Sequence, residues 1–428
     1  MTHFGILCPD RIGHLNPMMA LGNELQRRGH RATLFGTLDS EANALSAGLS
    51  FRAIGELDYP IGTAAELMRK RGMLSGLAAL RYEFRLAKQE TVICLRDSPK
   101  AIRLAGVEAL LVDQVVTGGS TVAEILGLPF ISVCSALLFN IEDSVPPPFT
   151  IWSYSSARWT ILRNKLGYAL AGYFALPFLK VVKEYRQLWK LSSYSKPEDY
   201  HSKLAQVSQQ PAEFEFPRKT LPECFHFTGP YSNPTIRKPV VFPFEKLTNR
   251  VLVYASLGTV QNRLIWVFEA IAEACVGLNV QLVISLGGSA NPESFLSLPG
   301  EPLVVKYAPQ LELLQRASLT ITHAGLNTTL ESLSNGVPMV AIPIANDQLG
   351  VAARIAWTGT GEVVPLSQLS APRLQAAIKR VLAENSYRKN ASRLQEAIRR
   401  AGGVKRAADI VEQVIFTGKP VVSHNSPT

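Results

Sequence analysis

Short, wholly apolar runs alternate with longer amphipathic ones along this chain, and no other feature restricts the fold as much. Phe4 to Cys8 reads as a buried strand, Pro17 to Arg28 as a helix with Met18, Leu21 and Leu25 on one face, and Arg31 to Phe35 as a second strand. Ala109 to Val112, Thr117 to Leu126 and Pro129 to Val133 repeat the order strand, helix, strand. Strands that are apolar on both faces and joined through helices build parallel sheets covered on both sides. The rhythm lapses from Ile141 to about Pro239 and restarts at Val251. Strands are then predicted at Val251–Ala255, Gln281–Ser285, Leu303–Lys306, Leu319–Thr322 and Met339–Ile342. The helical stretches between and after them include Thr328–Asn335 and Val404–Val414.

This pattern predicts an α/β protein of two Rossmann-like domains. Residues 1–235 form the first, with a variable helical insertion at about 141–210. Residues 236–249, rich in proline, form a linker, and residues 250–405 form the second domain. Residues 406–428 supply a last helix that crosses back to the first domain and a polar tail, expected to be loose beyond Gly418.

Composition narrows the function classes. A chain of 428 residues is too long for one core. With 47% hydrophobic residues it is too apolar to be disordered. Its five cysteines are scattered, with no CxxC, so they read as reduced thiols, mostly buried. The net charge of +10 is dispersed and accompanies no RNA-binding or helix-turn-helix pattern, so no nucleic-acid partner is expected. The start, MTHFGILCPD, lacks the apolar span of a secretory leader, which predicts a cytoplasmic chain. One stretch, Leu166 to Leu179, is apolar for fourteen residues, short of the roughly 20 that a spanning helix needs. Pro177 also interrupts it. Buried helix, pocket wall and lipid-touching surface all remain open for it.

The densest polar cluster is THAGLNTTLESLSNGVPMVAIPIANDQ, Thr322 to Gln348. It starts at a strand end, where open α/β sheets bind ligands. Asn327 and Thr328 open a helix whose unpaired N–H groups suit a phosphate. Gly325 permits close backbone approach, His323 and Thr328 offer donors, and Glu331 offers two acceptor oxygens for ribose hydroxyls. A plain capping box on Asn327 or Thr328 with Glu331 fits the same residues. Ser256, Gly258 and Thr259 form a second loop able to close on the phosphate from the other side. No GxxxxGK[ST] or leading GxGxxG is present, which disfavours phosphate-loop ATPases and standard dinucleotide oxidoreductases. In the first half, His14 sits just before a helix and Asp113 just after a strand. A histidine titrates in the right range for a general base, and an aspartate can fix its tautomer. Capping roles for both are the alternative. The histidines and carboxylates show no metal-ligand spacing, so no metal is expected.

HAGLNTTLESLSNGVPMVAIPIANDQ, preceded by YAPQLELL, resembles the nucleotide-sugar signature of family 1 glycosyltransferases, inverting enzymes of the GT-B fold. GHLNPMMALGNELQRRGH, LLVDQVVTGGSTVAEILGLPFISV and ECFHFTGP extend the resemblance over nearly the whole chain, most closely to the bacterial carotenoid (zeaxanthin) glucosyltransferases. The resemblance implies two parallel sheets facing across a cleft. It makes His14 the base that deprotonates an acceptor hydroxyl and Asp113 its partner. It places Ser256, Gly258, Thr259, His323, Gly325, Leu326, Asn327 and Thr328 around the diphosphate and Glu331 on the ribose. Tyr307, where plant members carry a stacking Trp, lies with Ala308 and Gln310 at the base and ribose, and Asp347 and Gln348 contact the sugar. UDP-glucose or a related nucleotide sugar is the implied donor substrate, with no tightly bound cofactor. Leu326 replaces the Trp of the plant signature, as in a bacterial-type enzyme.

The acceptor is read from the aromatic-rich middle. Phe139, Phe149, Trp152 and Trp159 are taken as its wall, and such walls suit long apolar alcohols. The alternative is that these rings pack helices on the sheet. Carotenoids reside in membranes, and Leu166–Leu179 is flanked by Arg158, Arg163, Lys165, Lys180 and Lys183, so peripheral contact with acidic lipid is also expected. The acceptor remains open among a carotenoid, a macrolide, a flavonoid and a sterol-like alcohol. A nucleotide-sugar epimerase and a non-catalytic lipid-binding protein are the readings from other classes.

Overall fold

In the computed structural model, which describes residues 1–73, 76–232, 239–259, 264–288, 290–295 and 297–423, the apolar runs become two separate parallel sheets. The first half contains β1 (His3–Leu7), α1 (Ile12–Arg27), β2 (Arg31–Gly36), α2 (Glu41–Ser46), β3 (Ser50–Ala53), α3 (Thr63–Met73), α4 (Gly76–Ala105) and β4 (Ala109–Asp113). It continues through α5 (Gly119–Leu126), β5 (Phe130–Cys134), α6 (Arg158–Leu188), β6 (Gln206–Ser208) and β7 (Phe225–Phe227). These strands lie in the order β3-β2-β1-β4-β5-β6-β7, and every neighbouring pair is parallel.

The second half contains β8 (Val251–Ser256), α7 (Ile265–Cys275), β9 (Val280–Ser285), β10 (Leu303–Val305), α8 (Gln310–Leu314), β11 (Leu319–Thr322) and α9 (Leu326–Ser334). Then follow β12 (Met339–Ala341), α10 (Gln348–Trp357), β13 (Gly361–Val363), α11 (Ala371–Ala383), α12 (Asn385–Ala401) and α13 (Gly403–Thr417). The order here is β10-β9-β8-β11-β12-β13, again parallel throughout. Strands β1, β4, β8, β9 and β11 are buried almost end to end, as continuous apolar runs between two helical layers must be. The strand order reverses between β1 and β4 in one sheet and between β8 and β11 in the other. At such switch points the connecting helices diverge to opposite faces and leave a crevice at the strand ends.

Several expectations are corrected. Helix α1 begins at Ile12, so Pro17 lies inside it and His14 sits in its first turn rather than before it. The N–H groups of His14 and Leu15 both reach the Arg11 carbonyl at 2.8 Å, which starts the helix early. The insertion predicted to run to residue 210 ends sooner, because β6 rejoins the sheet at Gln206. About half of it is one helix, α6, and Pro177 lies inside that helix without ending it. The tail is not loose up to Ser423: Val421 is buried and exchanges hydrogen bonds with Leu204 and His226. Linker residues 236–238 and tail residues 424–428 lie outside the described residues. Phe242 and Phe244, from the rest of that linker, pack with Leu252 and Tyr254 of β8.

Helix α13 returns to the first half. Ala407, Ala408, Ile410, Val411 and Val414 share one apolar core with β1, α1 and β4. A second crossing runs the other way: Leu137 and Phe214 of the first half pack with Leu326, Leu330, Val351 and Ile355 of the second. Between these, Arg354 of α10 forms a buried ion pair with Glu215 at 2.5 Å. The Arg354 guanidinium also lies 4.4 Å above the Phe216 ring.

Candidate active site

The site assembles where the two switch points meet. From the first sheet, β1 delivers His14 and β4 delivers Asp113. The imidazole Nδ1 lies 2.9 Å from Asp113 Oδ2, and the carboxylate is almost wholly buried. Asp113 Oδ1 accepts the Val115 N–H at 3.1 Å, which fixes its plane. With Asp113 as acceptor, the ring proton sits on Nδ1 and Nε2 keeps a lone pair. That is the geometry of a general base oriented by a carboxylate. Asp347, at the start of α10 in the other half, faces this pair. Burial raises its carboxyl above the usual carboxylate range, and the charge of His14 is the largest opposing influence.

From the second sheet, β11 delivers His323 and β8 delivers Ser256 and Gly258. The imidazole of His323 is held between two glycines. A Cβ on Gly258 would come within 2.7 Å of the ring and one on Gly325 within 2.5 Å, and Gly258 has φ +73°. Only glycine fits at either place without moving the histidine. Burial lowers the His323 pKa to about 4, so the ring is neutral. Its Nδ1 is buried and has no hydrogen-bond partner among the described residues. Ser256 Oγ accepts the Gly258 N–H at 3.3 Å, and Thr259 follows it, partly exposed.

Helix α9 starts directly behind His323. Its N-cap is Gly325, with no side-chain cap, so the capping-box reading of Asn327, Thr328 and Glu331 is not what the structure adopts. The first N–H groups of α9 are therefore left for an external acceptor, at the positive end of the helix. Glu331 is buried and accepts Gln310 Nε2 at 2.6 Å, while Tyr254 donates to Gln310 Oε1 at 3.0 Å. Tyr307 is half exposed, its hydroxyl beside Gly288.

Not every predicted site residue points into the crevice. Asn327 bridges the two halves: its Nδ2 donates to the Gly13 carbonyl at 2.9 Å and its Oδ1 accepts Gln209 Nε2 at 2.8 Å. The bridge has a local cause. Pro17 has no N–H, so the Gly13 carbonyl lacks its helical donor four residues on, and Asn327 supplies one. Leu326 turns into the apolar core and Ala308 packs beneath β8 and β9. Gln348 folds onto its own loop, where its Oε1 accepts the N–H groups of Ile344 and Ala345 at 3.0 Å each. Thr328, nearly buried, stays in the first turn of α9.

The predicted acceptor wall divides. The Phe139 N–H donates to Gln114 Oε1 at 2.8 Å, which ties it beside Asp113. Phe149 follows Pro148, whose carbonyl lies against Gly350 of α10; a Cβ there would be 2.1 Å from that oxygen. Trp152 lies under the Arg163 guanidinium at 4.7 Å, beside Gly167. Trp159 is a correction: it is 64% exposed on the outer face of α6 and walls nothing. Other middle-segment rings do pack elements together, as Tyr154 does on Phe216 and Phe174 on Phe84.

Sequence reasoning missed Tyr254 and Gln209, which orient Gln310 and Asn327. It also missed Ala324 and Asn346, with φ +64° and +56°. Both stand in the loops that present His323 and Asp347, and left-handed non-glycine residues collect at such sites. An asparagine hints at this conformation, whereas an alanine gives no signal. Among the described residues no group of three or more His, Cys, Asp or Glu side chains could hold a metal.

Residues 77–402 match the family model described as UDP-glucoronosyl and UDP-glucosyl transferase. A zeaxanthin glucosyltransferase of Pantoea ananas is 32% identical over 425 residues, covering 99% of this chain and 98% of that protein. The calicheamicin glycosyltransferase CalG4 superposes with a TM-score of 0.75 at 21% identity, covering 98% of this chain and all of that one. The glycosyltransferase SsfS6 of Streptomyces sp. SF2575, complexed with thymidine diphosphate, does so at 0.65 and 16% identity over 96% of this chain and 100% of that one. The two sheets thus have the GT-B arrangement.

Proposed function

Since the chain belongs to the UDP-glucoronosyl and UDP-glucosyl transferase family, and is therefore a nucleotide-sugar-dependent glycosyltransferase, we propose that it moves glucose from UDP-glucose, with inversion, to the hydroxyl of a lipophilic alcohol such as a carotenoid. The relative that carries a zeaxanthin glucosyltransferase name along the full chain supports the acceptor class. The observation that carries the mechanism is the hydrogen bond from Asn327 to Gly13, which sets the first turn of α9 beside the residue preceding His14.

In this reading the acceptor hydroxyl enters between Phe139 and Phe149. His14 Nε2 takes its proton while the oxygen attacks the anomeric carbon. The bond from that carbon to the diphosphate breaks, and the nucleotide leaves with the electron pair. The leaving charge falls on the N–H groups that open α9, on Thr328 and on neutral His323, all in place before reaction. Asp113 holds the imidazole tautomer and stabilises the imidazolium. Glu331, already oriented by Gln310, accepts ribose hydroxyls, and Asp347 orients the sugar. A single displacement needs no enzyme nucleophile, and the product anomer is opposite to that of the donor. An acceptor of this kind is met at a membrane surface, so the reading includes peripheral membrane contact.

The test is mass spectrometry of products from UDP-glucose offered with zeaxanthin, a panel of flavonoid, macrolide and sterol alcohols, and water-soluble sugars and polyols, with NMR of the new anomeric centre. Hexosylated zeaxanthin carrying a β-linkage is expected. Transfer only to water-soluble acceptors would refute the acceptor class, and a retained α-linkage would refute the displacement.

A further inference from the structure

Helix α6 has an outer face that no other part of the fold covers among the described residues. Trp159, Leu162, Leu166, Leu170, Tyr173 and Leu176 recur at spacings of three and four and are each 55% to 69% exposed. They form one apolar stripe about 27 Å long at 1.5 Å per residue. Surface apolar residues are normally scattered, and a continuous stripe marks a binding face. Among the described residues this is the one helix long and apolar enough to cross a membrane. It does not stand free to do so. Its other face buries Thr160, Asn164, Gly167, Val181 and Val182. Phe174 and Phe178 stack on Phe84 of α4 at 5.5 and 6.3 Å. Spanning would strip all of these contacts, whereas lying flat keeps them.

The charges around the stripe select what it lies on. Arg158, Lys165, Lys180 and Lys183 are exposed on α6; Lys165 lies 3.4 Å from Asp143, and Lys180 lies 3.9 Å from Glu184, the only acidic residue of the helix, so the basic excess is carried by Arg158 and Lys183. On α4, Arg81 and Lys88 flank Phe84 at three and four residues, on the face that meets α6, and both are exposed. Two copies of this chain packed stripe to stripe would bring these bases together. An anionic bilayer surface neutralises them while its acyl boundary takes the apolar side chains. We propose that α6 is an in-plane docking helix for anionic lipid bilayers. The proposal deepens the functional reading above and rests on it for its purpose: a carotenoid-like acceptor is dissolved in a bilayer. The docking helix adjoins the crevice. Gly167 packs against Pro147, and the carbonyl of Pro148 lies against Gly350, three residues beyond Asp347.

The experiment is flotation of the full chain with vesicles of phosphatidylcholine alone and of phosphatidylcholine with phosphatidylglycerol, at low and high salt. The wild type is compared with Leu166→Glu/Leu170→Glu, and UDP-glucose hydrolysis and thermal unfolding report the fold. The wild type should float with the anionic vesicles and be released by salt. The variant should partition about tenfold less or lower, with unchanged hydrolysis and melting, since both side chains are exposed. Equal partition of the variant and wild type, or no flotation on either vesicle, would overturn the proposal. So would a concentration-dependent dimer that the variant abolishes, because the stripe would then be covered by a second copy. Flotation without transfer to any lipophilic alcohol would refute the acceptor class and uphold the docking face.

Discussion

At the scale of single residues the chemistry is carried by a few side chains with fixed partners. His14→Ala should lower kcat by about 10²- to 10⁴-fold, the usual contribution of a positioned base. UDP affinity by calorimetry should stay near wild type, and a near-normal kcat would remove the base assignment. Glu331→Ala should do the reverse, weakening UDP-glucose binding while leaving Gln310 without its acceptor. Unchanged donor affinity would dismiss the ribose role. The neutral imidazoles set a pH dependence. Burial holds His323 and His201 near 4 in the folded chain, against 6.5 for an ordinary histidine. The unfolded chain therefore binds more protons between these values, and stability is lost as pH falls from about 6.5 toward 4. Thermal unfolding across this range should show that slope, and His201→Gln should flatten it. His14 and Asp113 were legible in the sequence because Asp113 ends an apolar strand and His14 lies in the loop-to-helix turn after another. Tyr254 was not, since nothing in a strand sequence says which buried hydroxyl reaches a glutamine on a helix more than fifty positions away.

At the scale of elements, irregular backbone does the positioning. Gly258 and Gly277 have nearly the same φ, +73° and +74°, but only the first has a neighbour, the His323 ring. Gly277→Ala should show only the cost of a left-handed alanine, about 1 kcal/mol. Gly258→Ala should add a clear rise in donor KM because His323 must move. Equal KM effects would show that the ring is not held by this glycine. In α1 the same logic concerns Pro17. An alanine there restores the missing N–H to the Gly13 carbonyl, which then has its own helical donor beside Asn327. Pro17→Ala and Asn327→Ala should be non-additive in a double-mutant cycle of donor affinity, by about 0.5 kcal/mol or more. Strict additivity would deny that Pro17 reserves that carbonyl. The strands and most helices were readable from apolar periodicity. The start of α1 was not, because a proline six residues into a helix reads like one at its first turn. The extent of α6 was hidden in the same way by Pro177, which is exposed and lies within a helix that continues on both sides of it.

At the scale of the whole molecule, two sheets become one enzyme through a small set of crossings. Glu215 is the polar centre of them, receiving Arg354, Arg218 and Gln210. Burial opposes its charge, yet Arg354 and Arg218 hold its pKa near 2. Arg354→Met should destabilise the chain by about 3 kcal/mol, the lower end for a broken buried pair, since Arg218 still serves the carboxylate. Chemical denaturation measures this, and a loss below about 1 kcal/mol would mean that the pair does not hold the halves together. The sequence by itself determined the architecture: two parallel sheets, the strand ends that carry function, and the phosphate-suited loop before α9. It could do so because strand burial, helix periodicity and helix-terminus chemistry are local and repeat along the chain. Only the tertiary structure decided which of those residues face the crevice. Asn327 went to the interface, Leu326 to the core, Gln348 to its own loop and Trp159 to the outer surface. A side chain's direction depends on what another part of the chain places beside it, and those partners lie up to hundreds of residues away. The same is true of α6, whose apolar sequence suits a core helix, a pocket wall and a membrane surface alike until the fold leaves one face uncovered.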